Sequence, residues 1–559
     1  MNGGTLAMTN GFTLAANRGV TIGAGGGTVD ISSGSLAYNG IVTGGGGLTK
    51  NGAGTLALQN PGNNYSGATT LNAGVLSMDG DSTLGDQTGT LTLAGGTLST
   101  TATRGASTSN PVGNPINLTA DTLITTASVA STVDLSLTND NFTGSAGTLT
   151  VRNDGADGAA DVFVLRLYGT GFTFNRPISV ANGTIGLASI RCYAASGVQT
   201  FNGVISGSGT IHRRSSTAAV AGDTVLNGDN TYSGGTSIAD GGIGFGISST
   251  GPANAPTSGP IGSGALAYID SSSATSIRTI FASGGARTVG NTITIGGAQI
   301  NQIKGSNNLT LSGDINLGAA NRVFQVDNTG ATILSGVLSN GGLVKTGPGT
   351  LTLNGANTYS GPTTVTNGTL AGTGTILGPV TVQTGGTLSP GSSIGMLSIS
   401  NTLNLDAGST TSVEINKTAN TSDKVVGLTT VTYGGTLNVN NLSGTLAGGD
   451  SFTLFSAATH TGSFASIVPA TPGAGLTWSF TNGVLSVVGS LAPPTLGVSQ
   501  AGNILTFTWT GAFKLQAQTN SVNVGITGTW SDYPGGNVSG VTATVNPVND
   551  TVFFRLINL

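Results

Sequence analysis

The sequence predicts an all-β protein: a long right-handed parallel β-helix, or solenoid, over residues 1–490, a proline-rich linker at 491–496, and a small immunoglobulin- or fibronectin-like β-sandwich at 497–559. Three observations predict it. Short Thr-rich segments alternate apolar and polar residues and are punctuated by NG, GG, SG and DG turns to about residue 490. A unit longer than thirty residues recurs three times. Helical spacing is absent, and glycine at 94 of 559 positions would cost a helix roughly 1 kcal/mol per site.

The repeats occupy residues 38–76, 201–242 and 334–370. GGLTKNGAGTLALQNPGNNYSGATTLNAGVL, Gly46 to Leu76, matches GGLVKTGPGTLTLNGANTYSGPTTVTNGTL, Gly341 to Leu370, almost position for position, so that Lys50 aligns with Lys345 and Tyr65 with Tyr359. A decayed copy, GSGTIHRRSSTAAVAGDTVLNGDNTYSGGTSIADGG, puts Tyr232 in the tyrosine position and Arg213 near the lysine. Each copy follows a matching lead: YNGIVTGGGG from Tyr38, FNGVISGSG from Phe201 and LSGVLSNGG from Leu334. Strands of four to six residues cannot each bury a face alone, whereas coiling them parallel and in register turns Leu, Val and Ile inward. At about 20 residues per coil and about 4.8 Å between stacked strands, residues 1–490 would give roughly 24 coils and a rod of about 110 Å. Outward Thr, Ser and Asn would then form side-chain ladders along it.

Composition excludes several function classes. Only 7% of residues are charged and the net charge is −4, which disfavours electrostatic binding of nucleic acid. The one cysteine, Cys192, forbids an internal disulfide framework and reads as a small buried hydrophobe rather than a nucleophile. Two histidines, His212 and His460, leave little material for a zinc or copper site. No run of about 18 apolar residues offers a helical membrane span. The start, MNGGTLAMTNGFTLAANRG, shows no basic stretch before an apolar core and reads as a processed, truncated or recloned beginning.

At these residues the chain resembles the autotransporter-associated β-strand repeat, also called the passenger-associated transport repeat, through GGLTKNGAGTLALQ with NNYSGATTLNAGVL and through GGLVKTGPGTLTLNGANTYSGPTTVTNGTL. RGVTIGAGGGTVDISSGSLAYNG, Arg18 to Gly40, is similar to the stretch that precedes this repeat, and GTLSPGSSIGMLSISNTLNLDAGSTTSVEIN to the closing region of large secreted proteins that carry it. The resemblance implies an extracellular or bacterial cell-surface β-solenoid, adhesive or structural, with no catalytic residues to carry over. It departs from the autotransporter pattern at the end: the 69 residues after Ser490 are too few for an outer-membrane barrel of about twelve strands. LAPPTL, Leu491 to Leu496, interrupts strand and helix alike, and NILTFTWTG, FKLQAQTN, GTWSDYPGG, VTATVNP and TVFFRLINL then alternate as a sandwich would.

Candidate chemistry is sparse. Asp154, Asp157 and Asp161 share one short loop whose oxygens could hold calcium, although a solvated turn is the commoner reading, as it is for Asp79, Asp81 and Asp86. No other cofactor is expected. His212-Arg213-Arg214 is the densest basic spot, but lyase chemistry would need calcium-binding aspartates beside it. Glycoside hydrolysis needs two facing carboxylates, and Glu414 is the only glutamate. Lys50, Tyr65, Tyr232, Lys345 and Tyr359 recur with the repeat, and the tyrosines are expected to cover the coil rather than bind sugar. The expected function is therefore a non-enzymatic structural or adhesive rod contacting cells, matrix or glycans. Alternatives are a filament subunit that self-associates through its solenoid ends or by strand donation and, behind it, a β-helix polysaccharide-active enzyme. Loop insertions between Asp121 and Phe201 and between Gly251 and Asn308, which break the rung pattern, are the expected contact surfaces.

Overall fold

The computed structural model describes residues 1–558 apart from 80–82, 105–110, 131, 139, 157, 195, 215–221, 272, 274, 490–493, 522 and 547–550. Among them there is no helix, and none long and apolar enough to cross a membrane. Two compact units separate: one comprises residues 1–443, 453–468 and 482–484, the other 444–452, 469–481 and 485–559.

The first unit is a parallel β-solenoid of about 18 turns. Each coil contributes short strands that pair in parallel with the equivalent strands of the coils before and after it, the hairpin of Thr410–Asn416 with Thr421–Ser422 aside, so sheets grow along the stack. Register shows why the sequence coils. Leu36 lies beside Leu56, then Leu76, Leu98, Ile124, Val151 and Val180, one side chain per coil. All seven are buried, and each contributes about 1.5–3 kcal/mol of burial. Polar side chains run parallel on the outside: Asn227 donates to Asn202 at 2.7 Å and Asn202 to Asn175 at 2.6 Å, while Asn72 bonds Asn51 at 2.8 Å.

Coils number fewer than the repeat spacing suggests, because the repeats are among the tighter ones. Thr363 stacks on Val380 after 17 residues, but Gly242 stacks on Thr279 only after 37. Eighteen coils at about 4.8 Å give a stack of about 85 Å. The segment from Asp121 to Phe201 also differs from a looped insertion. It forms the eight-residue strands Val162–Gly169 and Leu187–Ala194, stacked in unbroken register from Val162–Leu187 to Gly169–Ala194. VFVLRLYG and LASIRCYA place Phe163, Leu165, Leu167, Ala188, Ile190 and Cys192 in the core, and so pay for long strands rather than loops.

In the second unit, strands Gly497–Ala501, Ile504–Thr508 and Val541–Thr544 form one antiparallel sheet. Ser531–Asp532, Phe513–Asn520 and Thr551–Asn558 form another. Phe507, Trp509, Leu515 and Ala543 make their core, flanked by Tyr533, Phe554 and Leu556. Trp509 Nε1 donates to the Phe513 carbonyl at 2.9 Å, so the indole is buried with its polar atom satisfied.

Candidate functional site: repeat corners and outer faces

The residues that mark the repeat point inward. Lys50 is the penultimate residue of strand Leu48–Asn51 and is fully buried, its Nζ donating to the carbonyls of Asn51 at 2.7 Å, Gly52 at 2.8 Å and Ala73 at 3.2 Å. Lys345 repeats the arrangement with Thr346 at 2.9 Å, Gly347 at 2.8 Å and Asn367 at 3.0 Å. Three ammonium protons thus meet three backbone acceptors. One glycine in each copy makes the space: a Cβ on Gly74 or on Gly368, both at φ +67°, would stand 2.8 Å from the lysine Nζ. Burial lowers both lysines to about 8, against which Asp30 acts on Lys50 and Asp327 on Lys345.

The tyrosines are equally internal. Tyr65, Tyr232 and Tyr359 are fully buried, each sharing a hydrogen bond with the threonine four residues on: Thr69 at 2.6 Å, Thr236 at 2.5 Å and Thr363 at 2.8 Å. Burial pushes Tyr65 and Tyr359 up to about 12 and raises Tyr232 too. No ring face is left for a sugar.

The decayed repeat keeps the corner with a different cation. Arg213 pairs in register with Cys192 and fans its guanidinium over the carbonyls of Cys192 at 3.1 Å, Arg214 at 2.8 Å, Ala194 at 3.1 Å and Gly222. Arg278 does likewise with Ile269 at 3.2 Å, Gly296 at 2.7 Å and Gln299 at 3.0 Å. The sequence reading missed Arg278 as a corner residue. Its signal is a cation at an inward strand position followed about one coil later by glycine: Gly74 after Lys50, Gly368 after Lys345, Gly296-Gly297 after Arg278.

The acidic loop is already engaged. Asp154 binds Arg152 through both carboxylate oxygens, Asp161 accepts the Gly158 N–H at 2.9 Å, and Asp157 lies outside the described residues. Of the other acidic turn, Asp86 accepts from Thr88 N at 2.9 Å and Oγ1 at 2.6 Å, and Asp81 lies outside the described residues. Among the described residues no three His, Cys, Asp or Glu side chains gather as metal ligands would. Cys192 is buried, and burial pushes its thiol up to about 11. His460 Nδ1 meets the Tyr433 hydroxyl at 2.7 Å.

Two carboxylate residues do line one surface hollow. Glu414 and Asp423 stand opposite each other in the hairpin of Thr410–Asn416 and Thr421–Ser422, and both line a cavity of about 390 Å³ with Ser412, Asn438 and Asn440. Asp423 accepts the N–H groups of Gly395 and Glu414, each at 2.8 Å, and burial first, then the Glu414 charge, holds it up at about 6.

The model of the passenger-associated-transport-repeat family matches residues 48–78, 221–243 and 343–371, the segments that build the lysine and tyrosine corners. This chain carries passenger-associated transport repeats. Adhesin BmaC autotransporter of Brucella suis biovar 1 (strain 1330) is 29% identical over 204 residues, 36% of this chain and 5% of that protein. The chain therefore corresponds to a small part of that relative's length. The crystal structure of the Haemophilus influenzae Hap adhesin superposes with a TM-score of 0.36 at 12% identity, covering 86% of this chain and 64% of that one.

Proposed function

We propose that this protein is an extracellular or cell-surface solenoid that works as a structural and adhesive rod, with no catalytic role of its own. One observation carries the reading: the passenger repeats spend their marking side chains inside the coil, on carbonyls and threonines, so the repeat specifies a scaffold and leaves the outer faces to vary. That the Brucella relative is an adhesin supports the adhesive half. Contacts with cells, matrix or glycans would then be made by side chains displayed on successive coils.

Beads coated with the purified full chain test it. Adhesion to epithelial cells or to immobilised matrix, blocked by soluble protein, is the expected result, and beads no stickier than albumin-coated controls would overturn it. Electron microscopy of the same preparation separates the assembly reading: single particles fit a rod that acts alone, whereas continuous fibres would make self-association the function.

A further inference from the structure

The strands that interrupt the rung pattern carry a cationic surface on three consecutive coils. In register, Ser136 lies beside Arg166, Arg166 beside Arg191, Arg191 beside His212 and His212 beside Ser237. Their chain neighbours Leu165, Ile190 and Ile211 fill the core, so this row faces outward. Two residues farther along the strands, Tyr168 and Tyr193 stack at 4.4 Å with ring planes 13° apart. On the next coil Arg214 takes the corresponding place, its N–H continuing the ladder to the Cys192 carbonyl.

These charges are poorly compensated. Arg166 pairs with Asp134 and lies 5.7 Å from the Tyr193 ring centroid. The side chains of Arg191 and Arg214 make no hydrogen bond or ion pair with the described residues. His212 reports on both: burial, then the charges of Arg191 and Arg214, lower it to about 4, so it is neutral and its nitrogens rest on Thr210 and Ser237. Ser136, at the first end of the row, is itself covered, and its hydroxyl and that of Ser189 are buried with no hydrogen-bond partner among the described residues. In a chain with 18 Lys and Arg among 559 residues, three arginines on adjacent coils with one engaged carboxylate between them are a concentration.

We propose that this face binds an anionic polysaccharide whose sugars carry carboxylates, with Arg191 and Arg214 taking the carboxylates and Tyr168 flanking the sugar ring. The proposal rests on the adhesive reading and gives it a ligand class. A guanidinium is a planar fork that matches a carboxylate with two parallel hydrogen bonds. Arg191 and Arg214 stand one coil, about 4.8 Å, apart along the stack and two residues apart along the strands, so the two cations offer a diagonal pair of carboxylate sites. Tyr168, half-buried, offers an aromatic surface to the C–H face of a sugar. Nucleic acid fits less well, since its affinity comes from many phosphate contacts and this face offers only a few cations.

The test is binding of the full chain to polygalacturonate, with dextran as the neutral control, at about 50 and about 300 mM NaCl. Saturable binding to polygalacturonate alone, weakened by salt, is expected. Arg191→Gln with Arg214→Gln should weaken it by roughly tenfold while leaving the circular dichroism spectrum unchanged, because neither side chain bonds any of the described residues. Wild-type protein that ignores polygalacturonate, or a double variant that binds as tightly, overturns the proposal. So does single-stranded DNA that competes equally well, which would reassign the face to nucleic acid. The bead assay keeps the two readings apart: beads that adhere when polygalacturonate is not bound sink this site alone, and polygalacturonate bound through Arg191 and Arg214 by beads that adhere to nothing else sinks the broader adhesive role.

Discussion

A lysine ammonium taken out of water is ordinarily held by a carboxylate; Lys50 and Lys345 are held by three carbonyls each. Replacing Lys345 with Met fills similar volume but strands those acceptors, and should cost about 2–3 kcal/mol of local stability, read as faster amide exchange around residues 363–370. The same corner gives stability a pH dependence. Each lysine has a folded value near 8 against 10.5 unperturbed, so between these values the unfolded chain holds more protons and stability rises with pH. Below about 8 both states are charged and the burial cost is fully present. Asp423 acts in the opposite limb: its folded value near 6 lies above 3.8, so the stability it lends is complete below 3.8 and is lost as pH rises to about 6. The melting temperature of the solenoid should therefore dip between about pH 6 and pH 8, with Asp423→Asn flattening the acid limb and Lys345→Met weakening the alkaline one.

At the scale of the coil, each repeat is closed by a tyrosine–threonine hydrogen bond and by a cation corner, lysine in the first and third copies and arginine in the middle one. Tyr359→Phe should cost about 1 kcal/mol, the net worth of one hydrogen bond. Gly368→Ala should cost more, about 2–3 kcal/mol, because the left-handed backbone resists a side chain and the new Cβ meets the ammonium; urea unfolding followed by circular dichroism ranks the two. Much of this element was legible in the sequence. The alternation of Leu351 and Leu353 and the recurrence of Lys50 with Lys345 and of Tyr65 with Tyr359 announced a coil and its fixed points, since repetition exposes any residue the fold needs each time. What stayed hidden lacked repetition. Arg278 sits in a coil that resembles no other, the strands at 162–169 and 187–194 hide their period beneath Arg166, Arg191 and two tyrosines, and the coil count depended on long excursions such as that between Gly242 and Thr279. Glu414 and Asp423 were each visible, but not that a hairpin sets them opposite.

At the scale of the whole molecule, low charge shifts the work of solubility and cohesion to hydroxyl and amide side chains, and to ladders such as Asn175–Asn202–Asn227. Removing divalent cations should leave the melting temperature within about 1 °C, because the oxygens of Asp154 are committed to Arg152 and Asp161 is bound to backbone; calorimetry with and without chelator checks it. A stack in which each coil touches only its neighbours should also unfold in stages rather than at once, so local exchange is the sounder probe of single substitutions.

The corner cation has a consequence for ancestry. Its partners are main-chain carbonyls, which every amino acid supplies, so a unit bearing it can be copied, moved or spliced beside an unrelated neighbour without a matching acid having to arise there. Genes built from such units can lengthen by unequal crossing-over and drift apart afterwards, as the exchange of lysine for Arg213 in the middle copy records.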